Sequence, residues 1–115
     1  MIVVVAKLVF ADQEARDRAV ELSTPIQMAT RNEEKGCQDY CFAADPGVPN
    51  TIQVYELWDT GADLVAHFKH PNYTAMVEVL GSAGIVESIN AAYDTHKSMP
   101  VYHEDGSARD KFWDD

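Results

Sequence analysis

Basic residues and cysteines are both scarce in this chain, and each scarcity excludes a class of protein. Lysine and arginine number 9 against 19 aspartates and glutamates in 115 residues, a formal net charge of −10. Nucleic acids and anionic membranes attract clustered positive charge, so we expect neither as a partner. The only cysteines are Cys37 and Cys41, and in a strand they would stand about 13 Å apart, too far for a disulfide. Two reduced thiols indicate a reducing compartment, and we expect a cytoplasmic protein.

Long apolar runs and the common nucleotide or nucleophile motifs are also missing. The apolar stretch from Ile2 to Val5 is far shorter than a membrane span and has no basic flank, so it predicts a strand. We find no phosphate loop, dinucleotide fingerprint or nucleophile elbow. At 115 residues and 46% hydrophobic content, the chain predicts one domain with its own core.

Hydrophobic periodicity predicts the order strand, helix, strand, strand, helical region, strand. The strands are expected over Ile2–Phe10, Cys37–Ala43, Thr51–Trp58 and Ile85–Ala92, and turn-forming residues between the second and third predict a hairpin. This order is the split βαβ arrangement of an α+β, ferredoxin-like fold with a four-stranded antiparallel sheet. The long first helix would be capped by Asp12 and bent at Pro25, and its apolar stripe would be Ala19, Leu22, Ile26 and Ala29.

The first strand is apolar on both of its faces, although helices would cover only one side of the sheet. Its second face therefore predicts burial against a second copy of the chain, which gives a homodimer with an α+β barrel between the subunits. Residues 1–92 would form the domain. Residues 93–115 would be an acidic C-terminal extension, which would either dock on the body or on the partner subunit through its aromatic residues or form a frayed end.

The most suggestive chemistry lies between Thr51 and Tyr73. Alternation along the third strand places Glu56 and Trp58 on one face. The next helix, capped by Asp59 or Thr60, carries His67 on one side with Leu64 and Phe68. If this helix covers that face of the sheet, an imidazole, a carboxylate and an indole line one space.

Two segments carry a family pattern. The first runs from the end of the long helix into the second strand, with Pro25, Ala29, Thr30, Arg31, Glu34, Gly36 and Cys37; the second comprises Tyr55, Glu56, Trp58, Asp59 and His67. Together they resemble the antibiotic biosynthesis monooxygenase-like family of small dimeric α+β barrels. The resemblance implies a cofactor-free enzyme that uses O₂. Haem-degrading members place an Asn on the first strand, where this chain offers only Lys7, so we expect no haem and no other cofactor.

His67 and Glu56 are the candidate catalytic residues. An unperturbed imidazole titrates near a pKa of about 6.5 and would accept a phenolic proton at neutral pH. The alternative for His67 is a structural histidine within the core. Glu56 lies on an otherwise apolar face, where an unpaired carboxylate is costly. It would orient His67 or pair with Arg31, either for structure or to tune the imidazole.

The candidate substrate-binding residues surround this pair. Trp58 and Tyr73 would hold an aromatic ring, His70 would lie with Tyr73 at the pocket mouth, and Val54 and Leu64 would line the wall. Simple core packing is the alternative for Trp58. His67 and His70 with only Glu56 nearby fall short of a metal site, so we expect no metal.

The leading hypothesis is a cofactor-independent monooxygenase that oxidises a small electron-rich aromatic, a hydroquinone or polyketide phenol, to a quinone with O₂. One alternative is a non-catalytic dimeric barrel, either a small-molecule binding or a stress-related protein. Another is an isomerase that uses His67 for proton transfer. A void beside His67 large enough for a ring favours the enzymes.

Overall fold

The computed structural model describes residues 1–113, and its element order agrees with the sequence pattern. The elements are β1 (Ile2–Phe10), α1 (Gln13–Glu33), β2 (Cys37–Ala44), β3 (Thr51–Trp58), α2 (Gly61–Phe68), α3 (Pro71–Ala83) and β4 (Ile85–Asp94). The four strands form one antiparallel sheet in the order β2-β3-β1-β4. The predicted α+β, ferredoxin-like fold is therefore confirmed, and β4 extends two residues beyond the predicted domain boundary.

The register of the sheet brings the inward-facing residues of three strands together. Glu56 of β3 lies opposite Val4 of β1 on one side and opposite Tyr40 of β2 on the other. Ile52, Val54, Glu56 and Trp58 are all buried, which confirms the predicted alternation along β3. Glu56 is therefore near the middle of the covered sheet face, among apolar neighbours.

Helix α1 buries a more polar face than its sequence predicted. Its N-cap is Asp12, as expected, and the helix continues through Pro25. Leu22 is 47% exposed, whereas Ser23 and Gln27 are buried, so the predicted apolar stripe is wrong at Leu22. Buried polar groups are tolerated here because they are hydrogen-bonded: Gln27 Nε2 donates to Ser23 Oγ and to the Phe42 carbonyl.

The same helix closes the β2 edge of the sheet. The Phe42 backbone N–H donates to Gln27 Oε1 at 2.8 Å, and Arg31 Nε donates to the Tyr40 carbonyl at 2.7 Å. Unpaired groups on an edge strand invite pairing with another chain. Gln27 and Arg31 satisfy such groups at two positions and leave less of this edge free.

Gly36 lets α1 turn sharply into β2. Its φ of +80° lies in the left-handed region that favours glycine. A Cβ at this position would also overlap the side chain of Asp63 in the first turn of α2. Thr60 caps α2, with its side chain accepting from Asp63 N. The close approach of Gly36 and Asp63 fixes where α2 begins relative to the sheet.

Among residues 1–113, no helix lies on the second face of the sheet. Its exposed apolar side chains, on three different strands, are Val5 (39%), Tyr55 (41%), Ile89 (55%) and Tyr93 (56%), and Lys7 and Gln53 are exposed on the same face. Beyond β4, residues 95–113 contain one isolated bridge, between Tyr102 and Ala108, and expose Val101, Tyr102, Phe112 and Trp113. Within residues 1–113, no helix is both long and apolar enough to cross a bilayer.

Candidate active site

A cavity of about 360 Å³ lies between the covered face of the sheet and helices α2 and α3. Its volume is within the range of ligand pockets. Apolar side chains form most of the wall. The exposed strand β4 adds two neutral polar residues to it, Ser88 and Asn90. The lining residues are Val4, Ala6, Leu8, Tyr40, Phe42, Val54, Glu56, Leu64, His67, Phe68, Tyr73, Met76, Val77, Leu80, Ser88, Asn90, Ala91 and Ala92.

His67 is held in this wall by a buried carboxylate. Its Nδ1 lies 2.7 Å from Glu34 Oε1, and the two side chains are 2% and 4% exposed. An ionised carboxylate only accepts hydrogen bonds, so Nδ1 carries the proton and donates, which leaves Nε2 with its lone pair in the neutral ring. Among residues 1–113, no fully buried side-chain nitrogen or oxygen lacks a partner. Nε2 has no hydrogen-bond partner within residues 1–113, and it belongs to a side chain that lines the cavity.

Glu34, not Glu56, is the residue that orients the imidazole. It is the C-cap of α1, and its second oxygen accepts from Asn72 Nδ2 at 3.2 Å and lies 3.9 Å from His70 Nδ1. Glu34 thereby ties the end of α1 to α2 and to the start of α3. The sequence pattern contained Glu34, but nothing local indicated that it would meet a histidine 33 positions later.

Glu56 hydrogen-bonds to the indole of Trp58 instead. Trp58 Nε1–H donates to Glu56 Oε1 at 2.9 Å. Burial raises the pKa of the Glu56 carboxyl from an ordinary 4.5 to about 7; the Trp58 hydrogen bond opposes this rise, and the negative charge of Glu34 adds to it. Near neutral pH this carboxyl is partly protonated, so it can either donate or accept a proton in the cavity wall.

Trp58 lies behind the wall rather than in it. The indole is fully buried and is not among the lining residues. Its ring centroid is 4.8 Å from that of His67. The expectation that Trp58 stacks on a substrate is therefore corrected: in this structure it packs against the imidazole and holds Glu56.

Of the remaining predicted binding residues, three line the cavity and one lies outside its lining. Val54, Leu64 and Tyr73 line the cavity, and the Tyr73 ring meets His67 edge-on at 5.5 Å between centroids. His70 is not in the lining. It caps α3, with Nδ1 accepting from Asn72 N at 3.0 Å, so it supports the helix that carries Tyr73.

Tyr40 is a site residue that the sequence reasoning missed. It is 1% exposed, lines the cavity and packs edge-on against His67 at 5.3 Å between centroids. Burial, followed by the negative charges of Glu56 and Glu34, raises the pKa of Tyr40 above its ordinary value. Period-two alternation places Tyr40 and Phe42 on one face of β2, and they pair with the inward-facing Glu56 and Val54 of β3. That alternation was the signal that could have found Tyr40.

Metal ligation is not suggested by the arrangement of donor residues. Within residues 1–113, no group of three or more His, Cys, Asp or Glu side chains is placed to hold an ion. Cys37 and Cys41 are free thiols. Burial and then the negative charge of Glu34 raise the pKa of Cys37 to about 11, so its thiol is a poor nucleophile at neutral pH.

Comparison with known families now assigns the chain. The family model for antibiotic biosynthesis monooxygenases matches residues 1–79, which include His67, Glu34 and Glu56. The chain belongs to this family. A search of curated proteins finds no match.

Solved structures share the fold at low sequence identity. A protein from Deinococcus radiodurans, described as a candidate antibiotic biosynthesis monooxygenase, is 22% identical, with a TM-score of 0.78 over 90% of this chain and 100% of its own. A similarly described protein from Caulobacter crescentus is 14% identical, with a TM-score of 0.73 over 84% and 91%. SnoaB, a cofactor-independent oxygenase from Streptomyces nogalater, is 8% identical, with a TM-score of 0.64 over 86% and 96%. At these identities the likeness establishes the fold alone.

Proposed function

We propose that this protein is a cofactor-independent monooxygenase that oxidises a small electron-rich aromatic, a phenol or hydroquinone, to a quinone with O₂. The observation that carries the proposal is the buried His67, whose side chain lines a cavity of about 360 Å³ and whose Nδ1 is fixed by Glu34, which leaves Nε2 as the free ring nitrogen. Such a nitrogen is placed to take a proton from a bound hydroxyl. The family assignment supports the same reaction class, and the fold is shared with SnoaB, which is described as a cofactor-independent oxygenase.

The reaction needs no reductant beyond the substrate. His67 Nε2 takes the phenolic proton, and the electron-rich phenolate reduces O₂ and forms a carbon–oxygen bond at a ring carbon that carries a hydrogen. That carbon is opposite the phenolate oxygen in a phenol and next to it in a hydroquinone. The resulting peroxide takes the proton back from the imidazolium. Loss of the hydrogen on that carbon then breaks the O–O bond, which leaves a new carbonyl and one water. One phenol and one O₂ thus give one quinone and one H₂O, and one hydroquinone and one O₂ give one hydroxyquinone and one H₂O.

The other residues of the cavity would position the substrate and keep water out. Glu56 and Tyr40 place polar atoms beside His67 that would hold the substrate oxygen, while Tyr73, Val54 and Leu64 would contact the ring. Trp58 and His70 would act indirectly, through Glu56 and through the cap of α3. An apolar wall also favours reaction over loss of the intermediate to solvent.

Oxygen uptake tests this proposal. Metal-free protein is mixed with a panel of phenols and dihydroxyarenes, and O₂ and quinone are followed together. We expect one O₂ consumed per quinone formed, and a loss of at least about 100-fold in His67→Gln, the usual contribution of a general base. His96→Gln is the matched control, because the His96 side chain is 83% exposed. No uptake above buffer with any compound would contradict the proposal.

An isomerase is the second candidate, because His67 and a Glu56 carboxyl with a pKa of about 7 form a pair of proton carriers in one cavity. The same panel without oxygen separates the two. Substrate turnover that continues anaerobically favours proton shuffling, and turnover that stops favours the monooxygenase.

The proposed enzyme acts in the cytoplasm as a homodimer. A second copy would cover the helix-free sheet face that exposes Val5, Tyr55, Ile89 and Tyr93, and the exposed aromatics of residues 95–113 would dock on the partner subunit. Sedimentation should give twice the mass of the 12.8 kDa chain. Val5→Glu should give monomers, and removal of residues 99–115 should weaken the dimer. A wild-type monomer would overturn this assembly.

A further inference from the structure

The charge of the cavity constrains what can enter it. Among residues 1–113, the wall contains no lysine or arginine and one acid, Glu56. A second carboxylate, Glu34, lies behind His67 and is 4% exposed. A ligand in this space therefore meets one imidazole and two nearby acidic groups, and the described lining has no lysine or arginine.

Three ionisable groups around the cavity have a raised pKa, so negative charge is disfavoured at all three. Burial is the first cause of the raised pKa of Glu56, Tyr40 and Cys37, and the negative charge of Glu34 contributes to each. In all three the anionic form is disfavoured. A charged group on a substrate would meet the same desolvation and the same repulsion.

The polar lining residues on β4 offer no compensating positive charge. Ser88 and Asn90 are the polar lining residues on the exposed strand β4, and they bond to each other, with Asn90 Nδ2 donating to Ser88 Oγ at 3.0 Å. A substrate carboxylate directed toward this side would still find no cation in the lining. It would lose hydration without gaining an ion pair.

We propose that the cavity selects hydroxyarenes that enter uncharged and rejects those that carry a carboxylate. A phenol satisfies this rule even though it reacts as an anion, because its proton stays in the cavity on His67 and the pair remains neutral. An ionised carboxylate arrives without a proton to give to His67, and the described lining has no lysine or arginine to balance its charge. The inference rests on the proposed function, since it takes hydroxyarenes as the substrate class.

Anaerobic calorimetry tests the selection without requiring turnover. The ligands are 1,4-dihydroxynaphthalene, its 2-carboxylic acid and the methyl ester of that acid, which matches the acid in size. At about pH 8 we expect the diol and the ester to bind with similar affinity and the acid to bind at least about 30-fold more weakly. This factor is smaller than the one that corresponds to the full rise in the pKa of Glu56. In Glu56→Gln the acid should gain affinity and the ester should not.

The outcomes separate this inference from the proposed reaction. Equal affinity for acid and ester would overturn charge selection, as would failure of all three ligands to bind. If the ester and diol bind, the acid does not, and no compound consumes O₂ in air, the selection holds and the monooxygenase proposal fails. The key comparison uses the unaltered protein, so it does not depend on a variant that folds.

Discussion

Glu34 and His67 form a buried pair in which the carboxylate Oε1 is 2.7 Å from the imidazole Nδ1. The two residues come from the end of α1 and from α2, so their contact depends on the packing of those helices. A general base needs one tautomer and one orientation, and this pair supplies both.

Replacement of Glu34 by Gln should lower kcat by at least about tenfold with little change in KM, because a neutral amide stabilises the imidazolium less than a carboxylate does. Glu34 is not in the cavity lining, so ground-state binding should persist. Steady-state kinetics with a phenol from the panel provide the measurement. Glu33→Gln, at the exposed neighbouring position, is the control. A rise in KM with unchanged kcat would show that Glu34 shapes the pocket rather than the base.

Glu56 should make stability fall as pH rises. Its pKa is about 7 in the folded protein and 4.5 ordinarily, so the folded state binds the proton more tightly. The stabilising effect of protonation is complete below pH 4.5 and is lost as pH rises through 7. Between these limits the unfolding free energy of wild type should fall by up to about 3 kcal/mol relative to that of Glu56→Gln, because one pKa unit corresponds to 1.36 kcal/mol.

Urea unfolding at several pH values measures this difference. Gln keeps an oxygen that can accept from Trp58 Nε1–H, so the comparison isolates the ionisation. Glu78→Gln, at an exposed position of α3, should follow wild type throughout. If the free-energy difference between wild type and Glu56→Gln does not change with pH, Glu56 titrates as an ordinary surface acid does.

Local patterns predicted the strands well and the site only in part. Alternation placed Glu56 and Trp58 on the inner face because side-chain direction in a strand follows from the backbone. The partner of His67 could not be read in the same way, since Glu34 is 33 residues away and meets it only through tertiary packing. The buried face of α1 was misjudged because Gln27 is stabilised there by hydrogen bonds to Phe42, which no helical period encodes.

Gly36→Ala should destabilise the protein by more than the roughly 1–2 kcal/mol expected for a left-handed backbone alone, because its Cβ would also overlap Asp63. Gly84→Ala is the control. Gly84 also has a left-handed φ of +88°, but a Cβ there meets nothing within 4 Å, so the variant measures the backbone cost alone. Gly81→Ala, inside α3 with nothing within 4 Å, should stabilise by about 0.5–1 kcal/mol. Thermal melts should give the lowest melting temperature for Gly36→Ala, an intermediate one for Gly84→Ala and the highest one for Gly81→Ala. Equal losses at Gly36 and Gly84 would show that Asp63 moves aside freely.

Arg16 joins α1 to the β2–β3 turn and should be a major structural residue. It is 5% exposed, and its Nη1 donates to the carbonyls of Asp45, Val48 and Thr51 at 3.3, 3.3 and 2.9 Å. Arg16→Met keeps much of the side-chain length but removes these charged donors, so we expect a loss of about 3 kcal/mol in unfolding free energy.

Arg18→Met changes an exposed position of the same helix and should stay within about 0.5 kcal/mol of wild type. Three of the lost bonds end on residues 45–51, and the fourth joins Arg16 Nε only to the neighbouring Asp17. Hydrogen exchange at the Thr51 amide, which donates to the Val48 carbonyl, should therefore accelerate more than exchange in β1. A uniform acceleration across the sheet would instead mean that Arg16 stabilises the whole fold and not this turn.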